Sequence, residues 1–219
     1  MPGGVITDLD GRHLATRFRA FVHSPFKEDS DGERNDASLG LQVTLSDGEG
    51  IGQALLFGDL CYPTLRRIFD RSNADDLQWN VLLAPHHCSK SAMYWRDEGE
   101  EDETLKRDIL DDLEKAEASP GYVVSSSEPI PASNRPGYNP PHAVAKARYE
   151  EIANDGFLCT QEHPHKEEPE PIVIVVDNNG LTYLKPKGLA KARASKVAAG
   201  VTAARGGGGT PTERVGFGR

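Results

Sequence analysis

The sequence has little of what several protein classes need. Its only cysteines are Cys61, Cys88 and Cys159, which are too few and too far apart for a disulfide scaffold and favour a reducing compartment. No apolar run reaches the length of about eighteen residues that a membrane-spanning helix needs. The first residues lack a basic stretch followed by an apolar one, so no secretory signal is expected. We therefore expect a cytoplasmic protein with no membrane partner.

Charge is unevenly distributed along the 219 residues, whose net charge is -9. Residues 185–219 carry a charge of +7, which leaves -16 for residues 1–184. The basic segment is also rich in glycine and poor in large apolar side chains, so we predict a folded domain over 1–184 and a disordered tail over 185–219. Basic side chains attract phosphates, which makes nucleic acid a candidate partner of the tail. A solvated tail without a partner is the simpler alternative.

Short strand-like and helix-like segments alternate through the predicted domain. Apolar periodicity predicts helices over 63–70, 104–118 and 143–153, and strands over 17–23, 39–45, 54–57, 81–83, 122–124, 157–160, 171–176 and 181–184. Because hairpins occur among strand–helix units, the pattern predicts an α/β or α+β sandwich with a mixed sheet and flanking helices. The charged stretch 162–171, which includes His163 and His165, is expected to be a solvated loop.

Polar motifs directly follow two of the predicted buried strands. Leu-Leu-Phe-Gly-Asp leads to Asp59, and Leu-Leu-Ala-Pro leads to His86 and His87. Loops at strand ends are held rigidly by the sheet and often carry reactive groups in α/β proteins. Since carboxylate oxygen and imidazole nitrogen suit zinc, manganese or iron, the motifs predict a metal site. A turn aspartate that caps the next helix, and surface histidines after a proline turn, are the simpler alternatives.

The adjacent histidines are expected to have different roles. On an extended chain, neighbouring side chains point in roughly opposite directions, so one imidazole is expected to face the metal. The other would position substrate or transfer a proton. Cys88 is expected to be a small buried side chain rather than a ligand.

The order of these motifs resembles the later part of the metallo-β-lactamase fold. Asn35-Asp-Ala-Ser38, Leu-Phe-Gly-Asp59 and His86-His-Cys-Ser89 are similar to Asn-x-x-Ser, Leu-x-Gly-Asp and His-His-Gly-Ser of the ComEC-like competence-protein branch. Residues 122–126 and 139–142 resemble the family's closing strand and its histidine-containing loop, so the likeness covers about residues 15–184. With Glu-His-Pro at 162–164, the chain is also similar to metallohydrolases encoded beside bacterial ubiquitin-like conjugation and antiphage systems.

This resemblance implies a metal-dependent hydrolase that acts on a phosphodiester or a related ester at a binuclear zinc, manganese or iron site. Asp59 matches the family's bridging aspartate and is expected to be catalytic. The His86–His87 pair matches the pair that contributes one ligand; His87 is favoured as that ligand and His86 as the catalytic group, with the reverse left open. The residues expected to line the site are His23, Asn35, Ser38, Ser89 and His142. Cys88 replaces the family's usual glycine and should narrow the backbone conformations available there.

The family's main ligand motif, His-x-His-x-Asp-His, is absent from the sequence. Asp8, Asp10 and His13 do not reproduce it. Either the chain is the C-terminal part of a longer protein, or a partner supplies the remaining ligands, or catalysis has been lost. The alternative function is therefore a non-catalytic or partner-completed subunit that acts as an interaction protein. Half of a sandwich would expose an apolar sheet face, which predicts self-association or a protein partner.

Overall fold

The computed structural model of the chain describes residues 2–27, 37–134 and 137–186. The chain divides into one unit over Met1–Tyr183 and a second that begins at Leu184. The predicted disordered tail lies almost entirely outside the described residues. None of the helices in the described ranges is long and apolar enough to cross a membrane.

Short hairpin strands accompany the longer strands of the sheet. In chain order the strands are β1 (Val5–Ile6), β2 (Asp8–Leu9), β3 (Arg12–His13), β4 (Phe18–Ser24), β5 (Gly40–Ser46), β6 (Ile51–Leu56), β7 (Trp79–Leu83), β8 (Tyr94–Trp95), β9 (Thr104–Leu105), β10 (Glu117–Ser125), β11 (Gly156–Cys159), β12 (Pro164–His165), β13 (Glu168–Pro169), β14 (Val173–Asp177) and β15 (Gly180–Leu184). The helices are α1 (Tyr62–Arg71), α3 (Arg107–Ala116) and α4 (Ala143–Ile152); α2 (Pro85–Cys88) is a single non-helical turn, and 3₁₀ turns lie at Ala74–Asp76 and Lys90–Ala92.

One mixed sheet of seven strands organises the described residues, in the order β1-β4-β5-β6-β7-β10-β11. The pairs from β1 to β6 are antiparallel, whereas the pairs from β6 to β11 are parallel. In chain order α1 lies between β6 and β7, α3 precedes β10, and α4 lies between β10 and β11. The predicted mixed α/β or α+β class is confirmed at this coarse level. Because β6, β7 and β10 are parallel, their carboxyl ends lie at the same edge of the sheet.

Three helices cover one face of this sheet. α1 and α3 turn an apolar stripe towards the core, as amphipathic helices do, and α4 buries Ala145, Tyr149 and Ile152 on the same side. Their buried side chains form one cluster with Leu55, Leu82 and Val123 of the sheet, and the helix members of that cluster are Leu65, Ile68, Ile109, Leu110, Leu113, Ala145, Tyr149 and Ile152. Trp79 of β7 is fully buried in the cluster, and its indole N–H donates to the Leu113 carbonyl oxygen at 2.9 Å.

The opposite face of the sheet is also apolar but is only partly covered. Leu41 pairs with Leu56, and Leu56 pairs with Leu83, so these half-buried side chains share that face. On β5, Leu45 lies on the same face and is 43% exposed. The β14–β15 hairpin reaches the face at Gly52, where an added Cβ would come within 2.5 Å of Val176 Cγ2. In the described residues, the predicted sandwich therefore consists of one large sheet, with only the short β14–β15 hairpin against this second face.

Candidate functional site

Several chain segments meet at the sheet edge where the parallel strands end. Polar residues follow each of these strands: Asp59 after β6, His86 and His87 after β7, and Ser126 after β10. The backbone N–H of His86 donates to the Gly58 carbonyl oxygen at 2.8 Å. This bond ties the turn that carries the histidines to the turn that carries the aspartate.

The turn before Asp59 is tightly packed. Gly58 has a φ of +54°, and an added Cβ would lie 3.1 Å from the Cβ of Ser38. Glycine adopts this conformation without a steric penalty. The Ser38 hydroxyl accepts a hydrogen bond from the Asp59 backbone N–H at 3.3 Å. Ser38, which was predicted to line the site, thus supports the backbone of the aspartate.

The side chains of Asp59 and His87 face each other across this edge. Asp59 Oδ1 lies 3.7 Å from His87 Nε2, and the two side chains are 41% and 54% exposed. The separation is longer than a hydrogen bond. It is close to the separation of about 3.3 Å expected between two ligands of one tetrahedral zinc ion. Both groups are accessible to an ion from solvent.

The other ring nitrogen of His87 fixes how the imidazole is presented. His87 Nδ1 lies 2.8 Å from the Ser126 carbonyl oxygen. A carbonyl only accepts hydrogen bonds, so Nδ1 carries a hydrogen, and in the neutral ring the lone pair is on Nε2, on the side of Asp59. Metal-binding histidines are commonly oriented by such a bond from the second nitrogen to a carbonyl or carboxylate.

His86 is half-buried beside Asp59. Burial lowers the pKa of His86 from its ordinary value of 6.5; the Asp59 carboxylate opposes this shift, and nearby His87 and His142 add to it. His86 Nδ1 lies 3.4 Å from the Ser91 hydroxyl, which is 3.0 Å from the Ser89 hydroxyl. Sequence reasoning missed Ser91, and the only available signal was a second serine two residues after Ser89 at the end of the histidine motif.

The backbone that carries both histidines is a left-handed turn. His86, His87 and Cys88 have φ values of 49°, 53° and 65°. The expectation of an extended chain at these two histidines is therefore wrong. The left-handed conformation costs a non-glycine residue about 1–2 kcal/mol, so contacts around the turn must hold it. Cys88 adopts a positive φ without being glycine, the residue that the resembling family has at this position.

Cys88 has the buried position that the sequence predicted. Its side chain is fully inaccessible, and burial raises the pKa of the thiol to about 12. A protonated, buried thiol is a poor ligand and a poor nucleophile. Cys88 therefore fills space beneath the turn.

The remaining predicted lining residues have other contacts. His23 is buried; its Nε2–H donates to the Asp76 carbonyl at 2.9 Å and its Nδ1 accepts from the Ser72 hydroxyl at 2.8 Å, which leaves no nitrogen for a ligand. Ser89 is buried and accepts from the Ser91 backbone N–H at 3.2 Å. Asn35 lies outside the described residues.

His142 contacts the histidine turn through its backbone and its ring. Its backbone N–H donates to the Cys88 carbonyl at 3.0 Å, and its Nδ1 accepts from the Lys90 N–H at 3.2 Å. Its Nε2 lies 3.2 Å from the Tyr138 carbonyl oxygen. Both ring nitrogens are therefore occupied, although the sequence suggested a side chain that lines the site.

Within the described ranges, no group of three or more histidine, cysteine, aspartate or glutamate side chains is placed to hold a metal ion. Asp59 and His87 thus provide two donors of suitable chemistry, short of a closed tetrahedral site. The binuclear site stays a prediction.

Comparison with known proteins identifies no relative: no protein-family model, no curated protein and no solved structure matches this chain. The resemblance to the metallo-β-lactamase fold therefore stays a prediction that rests on the motifs.

Proposed function

We propose that this chain is a metal-dependent hydrolase of the metallo-β-lactamase fold that acts on a phosphodiester or a related ester. Asp59 and His87 would hold zinc, manganese or iron. The supporting observation is their separation of 3.7 Å, together with the bond from His87 Nδ1 to the Ser126 carbonyl, which leaves Nε2 on the side of the carboxylate. The proposed reaction, hydrolysis of a phosphodiester or related ester, comes from the resemblance of the sequence motifs to the metallo-β-lactamase fold.

The surrounding residues have distinct roles in this proposal. A bound ion supplies Lewis acidity and lowers the pKa of a coordinated water. The Ser38 hydroxyl holds the Asp59 backbone, and the Ser126 carbonyl holds the His87 ring. His86, half-buried beside the aspartate, orients substrate or transfers a proton. The exposure of Asp59 and His87 leaves the site open to a substrate from solvent.

The test is hydrolysis of bis(p-nitrophenyl) phosphate by the purified full chain with added Zn²⁺ or Mn²⁺. We expect Asp59→Asn to lower the metal-dependent rate by at least about 100-fold, because it removes the negative charge from the ion-binding pair. Asp8→Asn is the matched control, since exposed Asp8 lies 3.0 Å from His13 in a similar aspartate–histidine pair elsewhere. Equal rates for Asp59→Asn and the unchanged chain, or hydrolysis indifferent to metal, would contradict the proposal.

A second candidate function, a partner-completed subunit, is favoured by a separate observation. The face that carries Leu41, Leu56 and Leu83 is apolar and only half-buried, and the described site has two clear donors. Exposed apolar surface can mark interaction sites, and Leu45 on the same face is 43% exposed. In this proposal a polypeptide covers the face and adds the remaining ligands.

In a purified sample of this chain, the available protein partner for this face is a second copy. We therefore expect sedimentation to give a mass above the 23.8 kDa of one chain. Leu45→Glu should shift the mass towards a monomer, because it places a charge on the apolar face. Ile51→Glu is the control: Ile51 is 57% exposed, and its pairing with Ser46 places it on the opposite face. A wild-type monomer at every concentration would count against this candidate.

A further inference from the structure

His142 connects the histidine turn to a rigid part of the fold. It directly precedes α4, and its carbonyl oxygen accepts from the backbone N–H groups of Ala145 and Lys146, both at 3.1 Å. The helix is anchored in the core by Tyr149 and Ile152, which are almost completely buried. His142 itself is only 8% exposed, so its position is fixed by the packing around it.

The side chain at this position must accept and donate at the same time. Nδ1 accepts from the Lys90 N–H, so in the neutral ring the hydrogen is on Nε2, which donates to the Tyr138 carbonyl. Together with the backbone bond to the Cys88 carbonyl, these contacts hold both sides of Ser89 at the end of the left-handed turn. A single histidine ring therefore accepts the hydrogen bond from the Lys90 N–H and donates one to the Tyr138 carbonyl.

We propose that His142 is a positioning residue that holds the left-handed turn of His86 and His87, and so keeps the His87 imidazole beside Asp59. His142 is not a metal ligand, because its ring nitrogens are both used by the backbone. The effect of His142 on metal binding rests on the proposed function, whereas its effect on the conformation of the turn is independent of that proposal. His142 also lines a cavity of about 430 Å³ with Glu128 and Tyr138.

Two substitutions at His142 each keep one of the two hydrogen bonds of the ring and remove the other. In asparagine, Oδ1 is bonded to Cγ as Nδ1 is in histidine, so His142→Asn keeps the acceptor for the Lys90 N–H and loses the donor to Tyr138. In His142→Gln the side-chain amide lies one atom further from the backbone. Its N–H can still donate to the Tyr138 carbonyl, but the acceptor for the Lys90 N–H is lost. His163→Gln is the matched control: His163 is 6% exposed, bonds the Glu170 carbonyl at 3.1 Å and contacts the Tyr183 hydroxyl.

The first measurement is amide hydrogen exchange in the metal-free full chain, at the N–H groups of His86 and Ser89. These groups bond the Gly58 and Pro85 carbonyls within and beside the turn. We expect His142→Gln to accelerate their exchange by about tenfold or more, and His142→Asn by less than about threefold. The His163→Gln control should leave both rates unchanged. Equal rates in the two His142 variants, or acceleration by His163→Gln as well, would overturn the inference.

The second measurement is titration of the same proteins with Zn²⁺. His142→Gln should weaken zinc binding by about tenfold, and His142→Asn should bind nearly as the unchanged chain does. If the unchanged chain does not bind zinc while the exchange rates differ as expected, the proposed function fails and the positioning role stands. If zinc binds and depends on Asp59 but the two His142 variants exchange alike, the positioning role fails alone.

Discussion

Replacement of Asp59 by asparagine or of His87 by glutamine is expected to weaken zinc binding by at least about 100-fold. Loss of a residue that merely orients a ligand typically weakens metal binding by about 10–100-fold, and loss of the ligand itself should weaken it more. The asparagine side chain would keep the size of the aspartate but lack its charge, and the glutamine side chain would lack the imidazole lone pair. The two donors lie 3.7 Å apart, so each substitution removes one side of the same site. Isothermal titration of the full chain with Zn²⁺ measures both effects.

The exposed pair of Asp8 and His13 provides the control for this titration. Asp8 Oδ1 lies 3.0 Å from His13 Nδ1, and both side chains are mostly exposed. This distance fits a direct hydrogen bond better than two ligands of one ion. We expect Asp8→Asn and His13→Gln to leave zinc affinity within about threefold of the unchanged chain. Equal losses in the two pairs would mean that zinc binds to surface carboxylates and imidazoles without distinction.

Replacement of Trp79 by alanine is expected to lower the free energy of unfolding by about 3–5 kcal/mol. The indole is fully buried between β7 and the helix layer, so its removal leaves a cavity and deprives the Leu113 carbonyl of its donor at 2.9 Å. Because β7 leads directly into α2, the loss should also loosen the histidine turn. Urea denaturation of the full chain measures the change.

Trp95 offers a matched control for this substitution. It belongs to the short β8–β9 hairpin and is only half-buried. We expect Trp95→Ala to lower the free energy of unfolding by about 1 kcal/mol. If the two tryptophan variants lose similar stability, Trp79 does not belong to a core formed by the sheet and helices α1, α3 and α4.

Periodicity predicted the middle elements of the fold closely. The predicted helices over 63–70 and 143–153 correspond to α1 and α4, which the structure places at Tyr62–Arg71 and Ala143–Ile152. The predicted helix over 104–118 is shorter, because β9 occupies its start and β10 begins at Glu117. The Glu117 carboxylate accepts from the Asn154 backbone N–H at 2.9 Å, a contact between distant parts of the chain that local periodicity cannot indicate.

The charged stretch 162–171 shows the same limitation. The sequence predicts a solvated loop there, yet His163 is buried against Tyr183, twenty residues along the chain. Local charge predicts exposure correctly only where no distant side chain covers the segment. The exposed His165, two residues later, fits the original expectation.

The candidate site was accessible to sequence reasoning only in part. The order of strands and polar motifs pointed to Asp59, His86 and His87, because parallel strands bring such loops to one sheet edge. The left-handed turn had no glycine to signal it. The roles of Ser126 and His142 depend on carbonyl and N–H groups that the fold brings together, so no residue pattern near the histidines could indicate them.

Anomalous diffraction at the zinc absorption edge, from crystals of the full chain grown with Zn²⁺, tests most directly whether one cation joins the two sheet-edge turns. We predict a peak about 2.0–2.2 Å from both an Asp59 carboxylate oxygen and His87 Nε2. A peak at Asp8 and His13 alone, or density that leaves Asp59 and His87 without zinc, would contradict the proposed site.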